Sequence, residues 1–341
     1  MAPSLSVILS FLHSQLFVTV PKPTSSFAGR TVIVTGANVG LGLETARTIA
    51  SLGAAKVIIS SRSTAKGEAA AASIVSTTGV PADRIEVWPL DLCSYASVRS
   101  FAERAKALPQ LDALVCNAGV ATGSFALAEG HESTITTNVI STFLLSFLLL
   151  PKLREAAART NAPAHLVIVS SEVHFFTAYR ERLDPRGPFA ALRDEAAADM
   201  PDRYNVSKML EVLVVREIAG TPGLAAAASP ESPYPVVITA PNPGLCASTL
   251  RREFYDGPWW KRWGMWALEV LLERTSEEGA RNFVTCASAG ANYHGQYVSD
   301  GVPKAPAKLV LSEEGKKAQK VAWEELRDIL EEIEPGVTKN F

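Results

Sequence analysis

From Thr31 onward, short apolar runs alternate with longer stretches of helical pattern, and this alternation restricts the fold more than any other feature of the chain. The runs are Thr31–Thr35, Lys56–Ser60, Ile85–Leu90, Ala113–Cys116, His165–Ser170 and Val236–Ala240. Each is nearly continuously apolar, as expected of a strand covered on both faces. Helical patterns fill the gaps at Gly42–Leu52, Ser63–Thr77, Ser97–Leu108, Asn138–Ala158 and Ser207–Ile218. Such an order predicts an α/β fold, a doubly wound parallel sheet with helices on both faces. With 341 residues, 47% of them hydrophobic and 20% charged, the chain can bury one large core. We read residues 29–341 as a single domain behind an apolar helical segment and linker, residues 1–28. Three stretches interrupt the rhythm: Glu172–Arg203, Ala225–Pro235 and the tryptophan-rich Ser248–Ser276. The very apolar run Phe143–Leu150, which Pro151 ends, reads as part of a buried core or interface helix.

Charge excludes some classes. A net charge of -2 offers no attraction to nucleic acid. Cys93, Cys116, Cys246 and Cys286 form no C-x-x-C pair, and the five histidines are scattered, so no metal is expected. Four reduced thiols and the lack of a basic secretory start point to the cytoplasm. The segment Ser4–Val20 is apolar-leaning but interrupted by Ser10, His13, Ser14 and Gln15. It reads either as an amphipathic helix packed on the domain or a partner, or as a peripheral membrane anchor. Pro21 and Pro23 end it.

The first strand runs into Gly36-Ala37-Asn38-Val39-Gly40-Leu41-Gly42, and a helix follows. Glycines in that place allow a tight turn and close approach of backbone to a pyrophosphate, which the helix N-terminus favours electrostatically. Farther along, Tyr204 and Lys208 stand four residues apart, on one face if the segment is helical. A phenol is a poor acid or base at neutral pH, with a free pKa of about 10, and a nearby ammonium lowers it. The overlapping Asn205-Val206-Ser207 glycosylation pattern is a chance match.

The G-x-x-x-G-x-G spacing, preceded by Thr35, resembles the short-chain dehydrogenase/reductase family. So do Asp91-Leu92 after the third strand, Asn117-Ala118-Gly119 after the fourth, Asn138, Ser170-Ser171 after the fifth, Tyr204-x-x-x-Lys208, and Pro243-Gly244 after the sixth. The motifs stand in order between Gly29 and Tyr297. The resemblance implies a Rossmann-type fold. It implies that Tyr204 is the general acid or base, that Lys208 also binds the nicotinamide ribose, and that Ser171, rather than Ser170, stabilises the substrate oxygen. It implies that Asn138 holds a relay water near Lys208 and that Asp91 meets the adenine. Pro243-Gly244 would face the nicotinamide, and Ser248, with Thr249 as competitor, would contact the carboxamide. The second strand ends in Ser60-Ser61-Arg62 with Lys66 one turn on, and no carboxylate precedes Glu68. Arg62 can pair bidentately with a 2′-phosphate, a reading favoured over a merely solvated surface charge, so NADP(H) is the expected cofactor.

Family analogy makes 248–276 a substrate lid, and its Phe254, Tyr255, Trp259, Trp260, Trp263 and Trp266 suit a bulky hydrophobic, polyketide-like substrate or the packing of the lid itself. Phe175, Phe176 and Tyr297 are weaker candidates for a pocket wall. The layout looks like fungal secondary-metabolite or retinol dehydrogenase-like members. Homodimerisation through the helices that begin at Asn138 and near Tyr204 is implied in the same way. The reading is a ketone/alcohol oxidoreductase. A non-redox enzyme on this scaffold, or a cofactor-binding protein without turnover, stands as the alternative.

Overall fold

The computed structural model describes residues 5–221, 236–247, 250 and 271–340. The stretch Ala225–Pro235 lies outside the described residues, as do Ser248, Thr249 and the aromatic residues of the expected lid. The parallel strands are β1 (Thr31–Val34), β2 (Lys56–Ser61), β3 (Ile85–Pro89), β4 (Ala113–Cys116), β7 (Ala164–Ile168), β8 (Val236–Pro241) and β9 (Gln296–Ser299). An antiparallel edge, β10 (Val302–Lys304), completes a sheet in the order β10-β9-β8-β7-β4-β1-β2-β3. A separate small hairpin joins β5 (Leu127–Ala128) to β6 (His131–Glu132). Val32 pairs with Val57 on one side and Ala113 on the other, so the strand order reverses at β1. In open α/β sheets, ligands bind at the carboxyl ends of the strands flanking such a switch.

The helices are α1 (Leu5–Phe17), α2 (Gly40–Ser51), α3 (Thr64–Thr78), α4 (Tyr95–Lys106), α5 (Ser133–Ile135), α6 (Ser141–Thr160), α7 (Pro188–Leu192), α8 (Met200–Ala219), α9 (Ser276–Cys286), α10 (Lys308–Leu311) and α11 (Glu313–Ile333). Alternate strand residues feed opposite cores, as the period of two requires. Ile33 and Ile58 join Phe143, Leu149, Met209 and Leu326 on one face. Val32, Val34, Val57 and Ile59 join Ile49, Ile74 and Phe283 on the other.

The structure meets some expectations and revises others. Phe143–Leu150 is wholly buried in α6, which runs through Pro151 to Thr160 as the helical pattern Asn138–Ala158 implied. Burial on several sides outweighs the hydrogen bond a helical proline forfeits. The helix carrying Tyr204 starts at Met200, not Ser207, so the phenol and Lys208 share it. Strands β9 and β10 escape the sequence pattern because they are short and β10 is the sheet edge.

α1 docks on the body of the protein, but with its polar side inward. Ser14 and Gln15 are buried, while Leu5, Leu9, Leu16 and Phe17 are exposed. Buried Arg274 donates to the Ser14 and Val18 carbonyls at 2.6 and 2.9 Å and pairs with Asp300 at 2.9 Å. The α6 and α8 surfaces expected to meet a second subunit are covered by the chain's own C-terminal part. α11 packs along α8, the Trp323 and Phe147 rings lie 5.7 Å apart, and the turn Val337–Asn340 closes on α6.

Candidate active site

A cleft of about 620 Å³ opens at the carboxyl ends of β1 and β4. Its floor is the glycine turn. Gly36 and Gly40 have φ of +64° and +58°, values that disfavour any side chain. A Cβ on Gly36 would lie 2.8 Å from Ala118 Cα, and one on Gly42 would strike the Asn117 amide. A Cβ on Gly40 would meet nothing within 4 Å, which leaves that peptide facing open space. Asn117 ties the two loops together: its Nδ2 donates to Thr35 O at 2.9 Å, and the Asn117 and Ala118 N–H groups donate to Thr35 Oγ1 at 3.0 Å. The start of α2 has no side-chain cap and no acidic residue in its first turn. Its N–H groups are left to an anion, which fits a pyrophosphate.

The remaining cofactor candidates share the cleft. Asn38, Leu41, Asp91, Leu92, Gly119, Pro243 and Gly244 line it. Asp91 Oδ1 accepts from Cys93 N at 3.0 Å, which fixes the loop after β3. Arg62 and Lys66 lie exposed at its edge, and neither forms an ion pair with a described residue. Their free charge fits a 2′-phosphate. Ser248 lies outside the described residues.

At the other end, α8 presents Tyr204 and Lys208 to the cleft, with Lys208 Nζ 5.6 Å from the centre of the phenol ring. Lys208 also donates to Val169 O and to Glu211 Oε1, both at 2.8 Å. Burial opposes its charge, but Glu211 and the Tyr204 phenol hold its pKa above the ordinary lysine value. The two serines after β7 differ. Ser170 is buried and its hydroxyl donates to Lys208 O at 3.0 Å. Ser171 is half-buried in the cleft, and its backbone carbonyl is bound by His174 Nδ1 at 2.7 Å. Since Ala307 N–H donates to His174 Nε2 at 3.1 Å, the ring proton is on Nδ1. Burial pushes the His174 pKa down to about 4.

Asn138 is 1% exposed and sits behind Gly119, in a π-helical turn spanning Thr136–Ile140. Its two amide hydrogens are spent on Val120 O at 2.9 Å and Ser207 Oγ at 3.0 Å, and its Oδ1 accepts from Val120 N at 2.9 Å. The side chain holds the loop after β4 against α8. Phe175 and Tyr297 do not line the cleft. They pack against His174 and border a separate cavity of about 160 Å³ beneath α1. Phe176 does not line the cleft either.

Sequence reasoning passed over Glu211, His174 and Gln15. Gln15 Nε2 donates to Leu245 O at 3.0 Å and to Leu272 O at 2.7 Å, and a Cβ on Gly244 would lie 2.6 Å from its Oε1. Only Glu211 had a local signal, standing three residues after Lys208.

Residues 30–179 match the family model described as short chain dehydrogenase. The chain is 44% identical over 337 residues to the short chain dehydrogenase/reductase dmxR8 of Cryptosporiopsis sp., covering 98% of this chain and 100% of that one. It is 37% identical over 331 residues to the short-chain dehydrogenase anuD of Penicillium roqueforti, covering 96% and 84%. Among solved structures, the RhlG/NADP active-site complex of Pseudomonas aeruginosa superposes with a TM-score of 0.60 at 25% identity, over 82% of this chain and 97% of that one. L-Sorbose reductase from Gluconobacter frateurii, complexed with NADPH and L-sorbose, shares the fold with a TM-score of 0.59 at 20% identity, over 84% and 99%. A Rossmann-type sheet, a glycine cradle and a tyrosine–lysine pair in one cleft thus agree with relatedness along nearly the whole chain, which belongs to the short-chain dehydrogenase/reductase family of oxidoreductases.

Proposed function

We propose that the protein is an NADP(H)-dependent oxidoreductase that interconverts a ketone and a secondary alcohol on a bulky hydrophobic substrate. The observation that carries this reading is the placement of Tyr204 and Lys208 in the same cleft as the glycine turn, with ammonium and phenol ring 5.6 Å apart. When bound, the nicotinamide supplies or accepts the hydride. The Lys208 ammonium lowers the cost of forming the Tyr204 phenolate. In reduction Tyr204 donates its proton to the carbonyl oxygen, and in oxidation it takes the alcohol proton. Ser171 donates to the same oxygen as its charge develops. Its neighbour Ser170 is excluded from this role by its bond to Lys208 O.

Arg62 and Lys66 support NADP(H) over NAD(H), and the NADP complex of the Pseudomonas protein agrees with this preference. The aromatic residues between 254 and 266 support a large apolar, polyketide-like substrate. The four free cysteines support a cytoplasmic location. The outward apolar side chains of α1 are the surface available for peripheral membrane contact, and a homodimer would need a surface other than α6 and α8.

The test is consumption of reduced nicotinamide with a panel of bulky ketones, by wild type and Tyr204→Phe. We expect turnover with NADPH and a loss of at least about 100-fold in the variant, while Arg62→Asp shifts preference toward NADH. Tight cofactor binding without consumption would mark a binding protein. Product formed without net cofactor change would mark a non-redox enzyme.

A further inference from the structure

Behind Tyr204 and Lys208 lies a carboxyl group that the reaction above does not use. Glu211 stands one turn past Lys208 on α8 and is 2% exposed. Its Oε1 accepts from Lys208 Nζ at 2.8 Å, and the same ammonium donates to Val169 O at 2.8 Å. An ammonium has three hydrogens, so one is left for the cleft. Glu211 Oε2 is buried and makes no hydrogen bond to a described residue, although the Ser170 hydroxyl lies close by. One oxygen held by a cation favours the ionised carboxylate; one bare oxygen in the core favours the protonated acid.

We propose that Glu211 is a positioning residue for the acid–base pair: it fixes the Lys208 ammonium beside Tyr204 and, by its own ionisation, sets how much of that positive charge the phenol feels. This rests on the reading of Tyr204 as the general acid–base. With Glu211 ionised, the lysine–glutamate pair is neutral and stabilises a phenolate weakly. With Glu211 protonated, the pair carries a full positive charge and stabilises it strongly. Burial, opposed by Lys208 and the Ser170 hydroxyl, holds the Glu211 pKa above the ordinary carboxylate value, which brings the protonated acid within reach. The titratable groups facing Glu211 are Lys208 on α8, which in turn faces Tyr204, and Cys116 on β4. Burial pushes the Cys116 thiol up to about 12, so it stays protonated across the working range.

The decisive measurement is the ionisation of Tyr204 in the NADP⁺ complex. It is read from the near-ultraviolet tyrosinate band as the difference between each protein and its Tyr204→Phe counterpart. Glu211→Gln removes the negative charge and should lower the Tyr204 midpoint by about one pH unit, since a charge within several ångströms moves a pKa by roughly 1–3 units and Glu211 acts from behind the lysine. Glu211→Met, an apolar replacement of similar length, should shift it in the same direction and serves if the glutamine variant does not fold. An unchanged midpoint in a variant that folds and still binds NADP⁺ overturns the inference and leaves the catalytic reading intact. If no ionisation in the difference spectrum depends on Tyr204, the catalytic reading fails, and the inference with it.

Discussion

Ser170 and Ser171 show how adjacent, identical side chains acquire different work. β7 ends at Ile168, and the chain then places one hydroxyl against α8 and the other in the cleft. His174 secures the second by binding the Ser171 carbonyl, and it does so as a neutral ring. A histidine in the unfolded chain titrates near 6.5, whereas burial holds His174 and the fully buried His165 at about 4. Between those values the unfolded chain takes up protons that the folded protein refuses. Each ring's contribution, on the order of 3 kcal/mol, is thus present at neutral pH and lost as pH falls from 6.5 toward 4. Glu172 and Glu211 act in the opposite sense. Burial holds both near 7, so their contribution is present below about 4.5 and lost as pH rises through 7. We expect His174→Gln to be less stable than wild type at pH 7 and this deficit to shrink at pH 5, as measured by denaturant unfolding. An equal deficit at both pH values would show that His174 does not stay neutral in the fold.

Among the elements, α1 has the least expected role. Its apolar residues suggested either packing or membrane contact, yet its side chains hydrogen-bond to the body through Ser14, with Asp300 and Arg274, and through Gln15, at the turn of Gly244. Gln15 holds Leu245 through N–H and carbonyl and reaches Leu272 as well, so it joins two segments that are distant in sequence beside the cleft. Gly244, with φ of +80°, has no room for a Cβ against Gln15 and Arg274. Leaving such partners unpaired costs roughly 1–3 kcal/mol. Gln15→Leu should therefore lower the melting temperature by a few degrees and weaken NADPH binding several-fold, as read by fluorescence titration. A lower melting temperature with unchanged affinity would reduce α1 to a packing element.

At the scale of the whole molecule, α11 decides which surfaces face solvent. It buries Ala318, Ala322, Leu326 and Leu330 against the core that α6 and α8 share, and Gln319 donates to Glu217 on α8 at 2.8 Å. Pairing of subunits through α6 and α8 would require α11 to leave. Deleting residues 308–341 should uncover Phe147 and its neighbours and convert the protein into a self-associating or insoluble species, detected by light scattering after size-exclusion chromatography. A truncated protein with the same oligomeric mass and solubility as the full chain would show that α11 does not mask an adhesive face.

Six strands, the glycine cradle and the tyrosine–lysine spacing were legible because each depends on residues close together in the chain. A strand buried on both faces is apolar throughout, a tight turn needs glycine, and two side chains four residues apart share a helical face. What required the tertiary structure was every pairing across long sequence separation. Gln15 meets Leu245, His174 meets Ala307, and the C-terminal helix covers α6 and α8, none of which leaves a periodic trace. Burial belongs to the same class. The glutamate after Lys208 was visible as a neighbour, but only packing could raise its pKa, because desolvation is a property of the surroundings and not of the residue.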